Sequence, residues 1–276
     1  MMTGNSRFPT GSAWLFCPAD RPERFAKAAS IADVVILDLE DGVAPAAKPA
    51  AREALVSSAL DPAMTVVRIN PYGTPDHDLD LAALAQTPYT LVMLSKCEGA
   101  DHAAALSNFD VIALVESPLG ALRASDIASA APVRALMWGA EDLIAAMGGT
   151  ASRHDDGAYR HVAQHVRSTT LLAAKAHGRI ALDSVFLNIA DLDGLRAETR
   201  DGVAIGFDAK VAIHPSQVTV IRDVFTPTVE EIDWAQRLLS AAKGERGVFT
   251  FEGRMVDAPV LRHAEAVLRR TGRAEQ

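Results

Sequence analysis

Residues 111–142, VIALVESPLGALRASDIASAAPVRALMWGAED, hold the repeating unit of the chain. A short apolar run over 111–115 ends at Glu116, Pro118 announces a helix, and a second apolar run over 135–138 leads into Gly139-Ala140-Glu141-Asp142. Runs of this length, rich in Val, Ile and Leu and lacking strict alternation, read as strands buried on both faces, and proline at the first turn starts a helix. The same rhythm extends in both directions. Strands are expected over 14–16, 34–39, 65–69, 91–94, 111–115, 135–138, 184–187 and 211–213, with helices starting near Pro22, Pro45, Asp76, Gly99, Pro118, Asp142, Asp191 and Ser216.

Eight strands, each followed by a helix, in about 250 residues match a (β/α)₈ TIM barrel. An open doubly wound sheet usually has fewer strands and a glycine fingerprint after the first, which is absent. The barrel is expected over 12–226, after a flexible N-terminus at 1–11. The segment from Met147 into a helix over 159–177 exceeds an ordinary loop and reads as an insertion at the active-site face or a lengthened sixth helix. Residues 227–276 form a C-terminal helical and lid extension: a helix over 230–243, a Gly-punctuated strand pair in VFTFEGRMV, and a final helix over 259–270.

Composition removes several function classes. Of 276 residues, 49% are hydrophobic and 22% charged, as in folded globular chains. With 35 acidic against 27 basic side chains the net charge is −8, so a phosphate-bearing partner needs a local basic patch and a general nucleic-acid role is not expected. Aromatic residues, at 5%, are too sparse for a base-stacking platform. Cys17 and Cys97 support neither a disulfide framework nor a zinc site, which fits a reducing cytoplasm. No apolar run approaches the roughly 20 residues needed to span a bilayer, and the opening MMTGNSRFPTGSAW has no apolar targeting core. A cytoplasmic protein without membrane partners is expected.

Catalytic groups of such barrels sit at the C-terminal ends of strands. Strand two ends Asp38-Leu39-Glu40-Asp41, strand three Arg68-Ile69-Asn70, strand four Ser95-Lys96 and strand five Glu116-Ser117; strand six leads to Glu141 and Asp142, and strand eight to His214. So dense a carboxylate rim calls for a cation. Oxygen donors without Cys favour Mg²⁺, with Glu116 and Asp142, after consecutive strands, as the foremost ligands. The alternative is that such acids only cap helices or serve their first turns. Arg68 faces the substrate or neutralises the DLED acids, while Glu40 and Asp41 sit behind the metal, fixing its water and Arg68. Glu116, Glu141 and His214 are substrate-binding candidates by their place on the rim. Arg21, Arg24 and Lys27 oppose the dipole of the helix they open, which favours an anion there, although a solvated face explains Arg24 equally well. Met147-Gly148-Gly149-Thr150 reads as a loop, His154, His161, His165 and His177 as a hydrated helix surface, and Cys17 as a small rim residue.

With these residues in view, the chain resembles the citrate lyase β-subunit-like proteins of the HpcH/HpaI aldolase superfamily, which include malyl-CoA and citramalyl-CoA lyases. The resemblance runs from Ser12 to Leu268 and rests on LFCPADRPERFAKA, DLEDGV, RIN, SKCE, VES, WGAEDL, GFDAKVAIHPSQ and GRMVDAPVLRHA. It implies Mg²⁺, a CoA or acyl-carrier thioester, a small keto-acid partner, and reversible carbon–carbon cleavage. By motif it places metal ligands on Glu116 and Asp142, the substrate arginine on Arg68, thioester contacts on Phe16, Arg21 and Lys27, and the catalytic acid/base on Asp257. It also implies a homo-oligomer, a trimer or hexamer, in which the C-terminal extension closes over a neighbouring subunit. Two other readings stay open: the citryl-carrier lyase subunit of a multi-chain citrate lyase, and a non-catalytic barrel that binds a CoA thioester. Ser95 stands where the family often has Pro, Cys17 replaces a small aliphatic residue, and longer members carry larger C-terminal domains; these departures bear on substrate fit.

Overall fold

The computed structural model describes residues 8–245 and 247–274. Residues 1–7 of the expected flexible N-terminus lie outside the described residues. Two compact units divide the chain, 1–221 and 222–276.

In the first unit eight parallel strands close into a barrel in sequence order: β1 (Ala13–Pro18), β2 (Val34–Asp38), β3 (Thr65–Ile69), β4 (Leu91–Leu94), β5 (Asp110–Val115), β6 (Val133–Trp138), β7 (Ile180–Asp183) and β8 (Ala209–Ala212), with β8 pairing back onto β1. The TIM-barrel expectation is met. Alternate residues point inward, so Trp14, Val34, Ile36, Val66, Leu91, Met93, Ile112, Leu114, Met137, Leu182 and Val211 fill the barrel. The intervening Val35, Leu37, Val67, Val92 and Leu94 are equally buried, as a sheet covered on both faces requires.

The covering helices are α1 (Phe25–Ile31), α2 (Lys48–Val56), α3 (Pro75–Leu84), α4 (Ala100–Ala104), α5 (Pro118–Leu122), α6 (Ala124–Ser129), α7 (Ala140–Ala146), α8 (His161–Ala176), α9 (Leu192–Ile205) and α10 (Pro215–Phe225). Pro75 and Pro118 sit in the first turns of α3 and α5, where Thr74 and Ser117 accept hydrogen bonds from main-chain N–H groups of that turn. Strand seven differs from expectation. It runs over Ile180–Asp183, ahead of the expected 184–187, because Asp183 ends the strand as a buried carboxylate. Arg167 of α8 grips Asp183 in two hydrogen bonds, and Trp138 donates to it at 2.8 Å. Against the burial that would raise it, Lys210 and Arg167 hold this carboxyl down to about 2.

The second unit contains α11 (Val229–Ala242), the hairpin β9 (Phe249–Phe251) and β10 (Arg254–Val256), and α12 (Ala258–Ala274) around Ala235, Leu238, Val256, Ala264 and Val267. Thr228 and Glu231 form a capping box at the start of α11. Among the described residues no helix is long and apolar enough to cross a membrane.

Candidate active site

At the C-terminal rim of the barrel, Phe16, Arg68, Leu114, Glu116, Met137, Gly139, Ala140, Glu141, Asp142, Ser184 and Val185 line a cleft. Its floor is made by the last inward side chains of β5 and β6, and its polar wall by the residues that follow those strands.

Asp38, the last residue of β2, organises the turn after it. One carboxylate oxygen accepts from the Glu40 N–H and the other from the Gly42 N–H, both at 2.9 Å. A Cβ at Gly42 would stand 2.2 Å from Asp38 Oδ2, so the turn needs glycine there. The same carboxylate takes the Arg68 fork, at 2.7 Å from Nε and 2.6 Å from the second terminal nitrogen. The remaining terminal nitrogen stands 3.1 Å from Glu40, and the guanidinium lies 4.6 Å over the Phe16 ring. Despite the cost of burial, Asp38 and Glu40 hold the Arg68 guanidinium more firmly charged than usual. Of the two places offered for Arg68, the DLED acids hold it, and it still borders the cleft.

Lys96 reaches the same acids from β4. Its ammonium touches Glu40, lies 2.9 Å from Asp41, and lies 3.3 Å from Asp142. Burial lifts the Glu40 carboxyl above its ordinary range, against the pull of Arg68 and Lys96. Burial works to raise the Asp41 carboxyl, but Lys96, Arg68 and the Glu40 hydrogen bond together draw it below its ordinary range.

Glu116, just past β5, is 3% exposed. One oxygen accepts the Lys96 main-chain N–H at 3.0 Å. A Cβ at Gly139 would come within 2.8 Å of the other, so glycine after β6 leaves that oxygen its space. Burial first and the neighbouring Asp142 second push this carboxyl up to about 8. Asp142 stands in the first turn of α7 without capping it, so its first-turn reading and its place on the cleft coexist. Glu141, one residue earlier, accepts a 2.5 Å hydrogen bond from Ser152 Oγ. Ser152 lies in the expected insertion between α7 and α8, where Arg153 stacks 3.6 Å over Tyr159 and pairs with Glu198 of α9 at 2.7 Å.

Thus Phe16, Arg68, Glu116, Glu141 and Asp142 come together around the cleft, with Glu40 and Asp41 beside them. Other expected residues are not brought to its lining. Arg21 and Lys27 are exposed beyond β1, the first ahead of a 3₁₀ turn and the second on α1. His214 is exposed, its ring Nδ1 2.8 Å from Ser216 Oγ at the start of α10. Asn70 turns away, donating to Leu39 O and Asp80 while its own oxygen faces Lys48. In the second unit Asp257 accepts from Val260 N–H at 3.4 Å and so serves the start of α12. Cys17 is buried, which pushes its thiol up to about 11, in keeping with an inert rim residue. Sequence reading named Lys96 on the rim without giving it a role, offered Asp38 only as one of the DLED acids that Arg68 could neutralise, and passed over Ser152. The available signal for Lys96 was a lone cation ending an apolar strand opposite an acid triplet.

The family model described as HpcH/HpaI aldolase/citrate lyase matches residues 12–215. A citrate lyase subunit beta-like protein of Mycobacterium tuberculosis is 62% identical over 264 residues, covering 96% of this chain and 97% of that protein. The mitochondrial citramalyl-CoA lyase of Mus musculus is 30% identical over 298 residues, covering 96% and 87%. Among solved structures, protein CitE of M. tuberculosis in complex with magnesium, acetoacetate and coenzyme A superposes with a TM-score of 0.93 at 61% identity, covering 96% of this chain and all of that one.

Proposed function

Because the chain belongs to the HpcH/HpaI aldolase/citrate lyase family, we propose that it is a Mg²⁺-dependent carbon–carbon lyase acting on a β-hydroxyacyl-CoA. It cleaves, or in reverse forms, a thioester such as malyl-CoA or citramalyl-CoA, giving a short acyl-CoA and a keto or aldehyde acid. The observation that carries the reading is the placement of Glu116 and Asp142 after consecutive strands on one cleft wall, beside the Arg68 guanidinium. The magnesium, acetoacetate and coenzyme A bound by the solved relative support it.

The residues fit the metal. Both donors are hard carboxylate oxygens, and the repulsion from Asp142, which adds to burial in raising Glu116, would be relieved by a cation that these two residues held. Gly139 keeps the second Glu116 oxygen accessible. Among the described residues no group of three or more His, Cys, Asp and Glu is set to hold a metal. Two protein carboxylates, with water and substrate oxygens completing the shell, are the usual magnesium complement. When bound, Mg²⁺ supplies positive charge to the carboxylate and carbonyl oxygens of the keto-acid half.

The chain's own groups supply the rest. As the substrate's carbon–carbon bond breaks, the hydroxyl gives its proton to solvent and becomes the carbonyl of the keto acid, and the bonding pair passes to the thioester, which becomes an enolate; a protonated Asp257, recharged from solvent after each turnover, replaces that proton at carbon. A guanidinium has five N–H donors, and Arg68 gives two of them to Asp38 while one terminal nitrogen stands beside Glu40, so donors remain to hold the enolate oxygen or the substrate carboxylate. The Asp38 grip fixes the direction of those donors before substrate arrives, which is where electrostatic stabilisation gains its effect. Phe16, beneath the guanidinium, shields this pair from water. Asp257 delivers the proton that converts the enolate into the released acyl-CoA, entering from a neighbouring subunit of a homo-oligomer, a trimer or hexamer. Incubation with malyl-CoA, citramalyl-CoA and related thioesters plus Mg²⁺, following acyl-CoA and keto acid together, tests the reading. Silence across that panel, with the metal shown to be bound, contradicts it.

A further inference from the structure

Lys96 touches both proposed metal ligands, one through its main chain and one through its side chain. Its N–H donates to Glu116 at 3.0 Å, and its ammonium stands 3.3 Å from Asp142. This needs a left-handed backbone, φ +48°, which side-chain-bearing residues rarely adopt; among the described non-glycine residues only Glu252 shares it. The conformation is held from both sides. Ser95 Oγ donates to Ile69 O at 2.7 Å, and the Cys97 N–H donates to Leu114 O at 3.0 Å. Strain of this kind concentrates where surrounding structure enforces it, commonly at functional sites.

We propose that Lys96 is a built-in competitor of the divalent cation: its ammonium occupies Asp142 when no metal is bound, and metal binding displaces it toward Glu40 and Asp41. The proposal rests on the magnesium reading given above. An ammonium is a compact, strongly hydrated point charge on a flexible stem, so it moves from one carboxylate to another without a fixed fork geometry. Displacement does not strand it, because Glu40 and Asp41 already accept from the same nitrogen. Glu116, held by the Lys96 main chain, keeps its place during the exchange. Lys96 is therefore a positioning residue that lowers metal affinity, keeps the acid rim from trapping the cation permanently, and leaves Asp142 compensated in the metal-free protein.

The test is a metal-binding measurement on the full chain, independent of turnover. Chelator-stripped wild type, Lys96→Met, Lys96→Gly, Lys96→Arg and Glu116→Gln are titrated with Mn²⁺, with free Mn²⁺ read by electron paramagnetic resonance, and with Mg²⁺ by calorimetry. Lys96→Met and Lys96→Gly are expected to bind Mn²⁺ about tenfold more tightly than wild type, the scale of one unit charge removed from beside a divalent ion in a solvated cleft. Lys96→Arg, which keeps the charge, is expected to stay within about threefold of wild type. Lys96→Gly accepts the left-handed backbone without strain and retains the N–H to Glu116, so it carries the same demand if Lys96→Met does not fold. Affinity in the uncharged variants equal to or weaker than wild type overturns the proposal while the metal site stands. A wild type that binds no Mn²⁺, or a Glu116→Gln variant that binds as well as wild type, overturns the metal reading and this proposal together.

Discussion

Arg68 holds Asp38 through two hydrogen bonds, at 2.7 and 2.6 Å, so the last residue of β2 and the penultimate residue of β3 lock each other at the mouth of the barrel. Asp38 in turn orients the turn that carries Glu40, and Glu40 meets Lys96. The cation facing the cleft and the acids behind it are thus one unit whose geometry is set before substrate binds.

Arg68→Ala leaves Asp38 buried without its cation and Glu40 with Lys96 alone. A buried pair broken on one side typically costs about 3–5 kcal/mol, and a loss of that size is expected in urea unfolding. Arg68→Lys keeps the charge but cannot span both Asp38 oxygens and Glu40. It is expected to recover part of the stability and still lose about 100-fold or more in kcat/KM. An Arg68→Lys enzyme with near-normal kcat/KM removes the fork from the chemistry.

Glu116 predicts a pH dependence of the metal-free protein. Its carboxyl lies near 8 in the fold, against 4.5 for an ordinary glutamate. Between those values the native state keeps a proton that the unfolded chain releases, so stability falls as pH rises from about 4.5 to about 8 and levels off above. Asp183 acts in the opposite sense, but between 3.8 and about 2, outside this window. Urea midpoints in chelator are expected to show a steeper decline in wild type than in Glu116→Gln, where the buried Glu40, lifted in the same sense, accounts for what decline remains. Since metal ligation needs the carboxylate, Mg²⁺ affinity is expected to rise over the same interval, with proton release on binding. Coincident wild-type and Glu116→Gln profiles contradict the placement of this proton.

The outcome at each position follows from where its partners lie in the chain. The strands and the ends that carry Glu116 and Asp142 were readable from local signals: buried runs, a proline one turn on, an acid between. Strand seven was displaced because Asp183 looks like the end of an apolar run until Arg167, Trp138 and Lys210, from three other elements, are seen to neutralise it. The fate of Arg68 was undecidable for the same reason, its partner Asp38 lying 30 residues away in sequence. Lys96 carries its meaning in a backbone angle and in contacts with acids that follow β2, follow β5 and open α7, none of which is a pattern along the chain.

Ser152 provides a test of Glu141. It is 3% exposed and donates to a carboxylate that borders the cleft, while its neighbour Arg153 is fastened to Tyr159 and Glu198. Ser152→Ala frees Glu141 but leaves that anchor in place. The expected stability loss is about 1–2 kcal/mol, and KM for the thioester is expected to rise several-fold with kcat within about twofold. Ser152→Thr, which keeps a hydroxyl, restores KM. Unchanged kinetics in Ser152→Ala puts Glu141 outside substrate binding.

Asp257 poses the sharpest choice, because its local chemistry already has a use. Its carboxylate receives the Val260 N–H and so caps α12, and a cap is worth about 1 kcal/mol whatever the function. A cap engages one oxygen and leaves the other available, so capping and proton transfer do not exclude each other. Asparagine separates them: it caps about as well as aspartate but carries no exchangeable carboxyl proton. Asp257→Asn is therefore expected to melt within a few degrees of wild type and to lose at least about 100-fold in kcat, whereas a residue that only caps predicts full activity. Location is decided by mixing. Asp257→Asn and Glu116→Ala, each inactive alone, are combined under conditions that exchange subunits. If the acid serves a neighbour's cleft, a hybrid oligomer contains sites built from one intact Glu116 and one intact Asp257, and activity returns in proportion to the hybrids formed. No recovery, with exchange demonstrated by differently tagged chains, restricts Asp257 to its own chain.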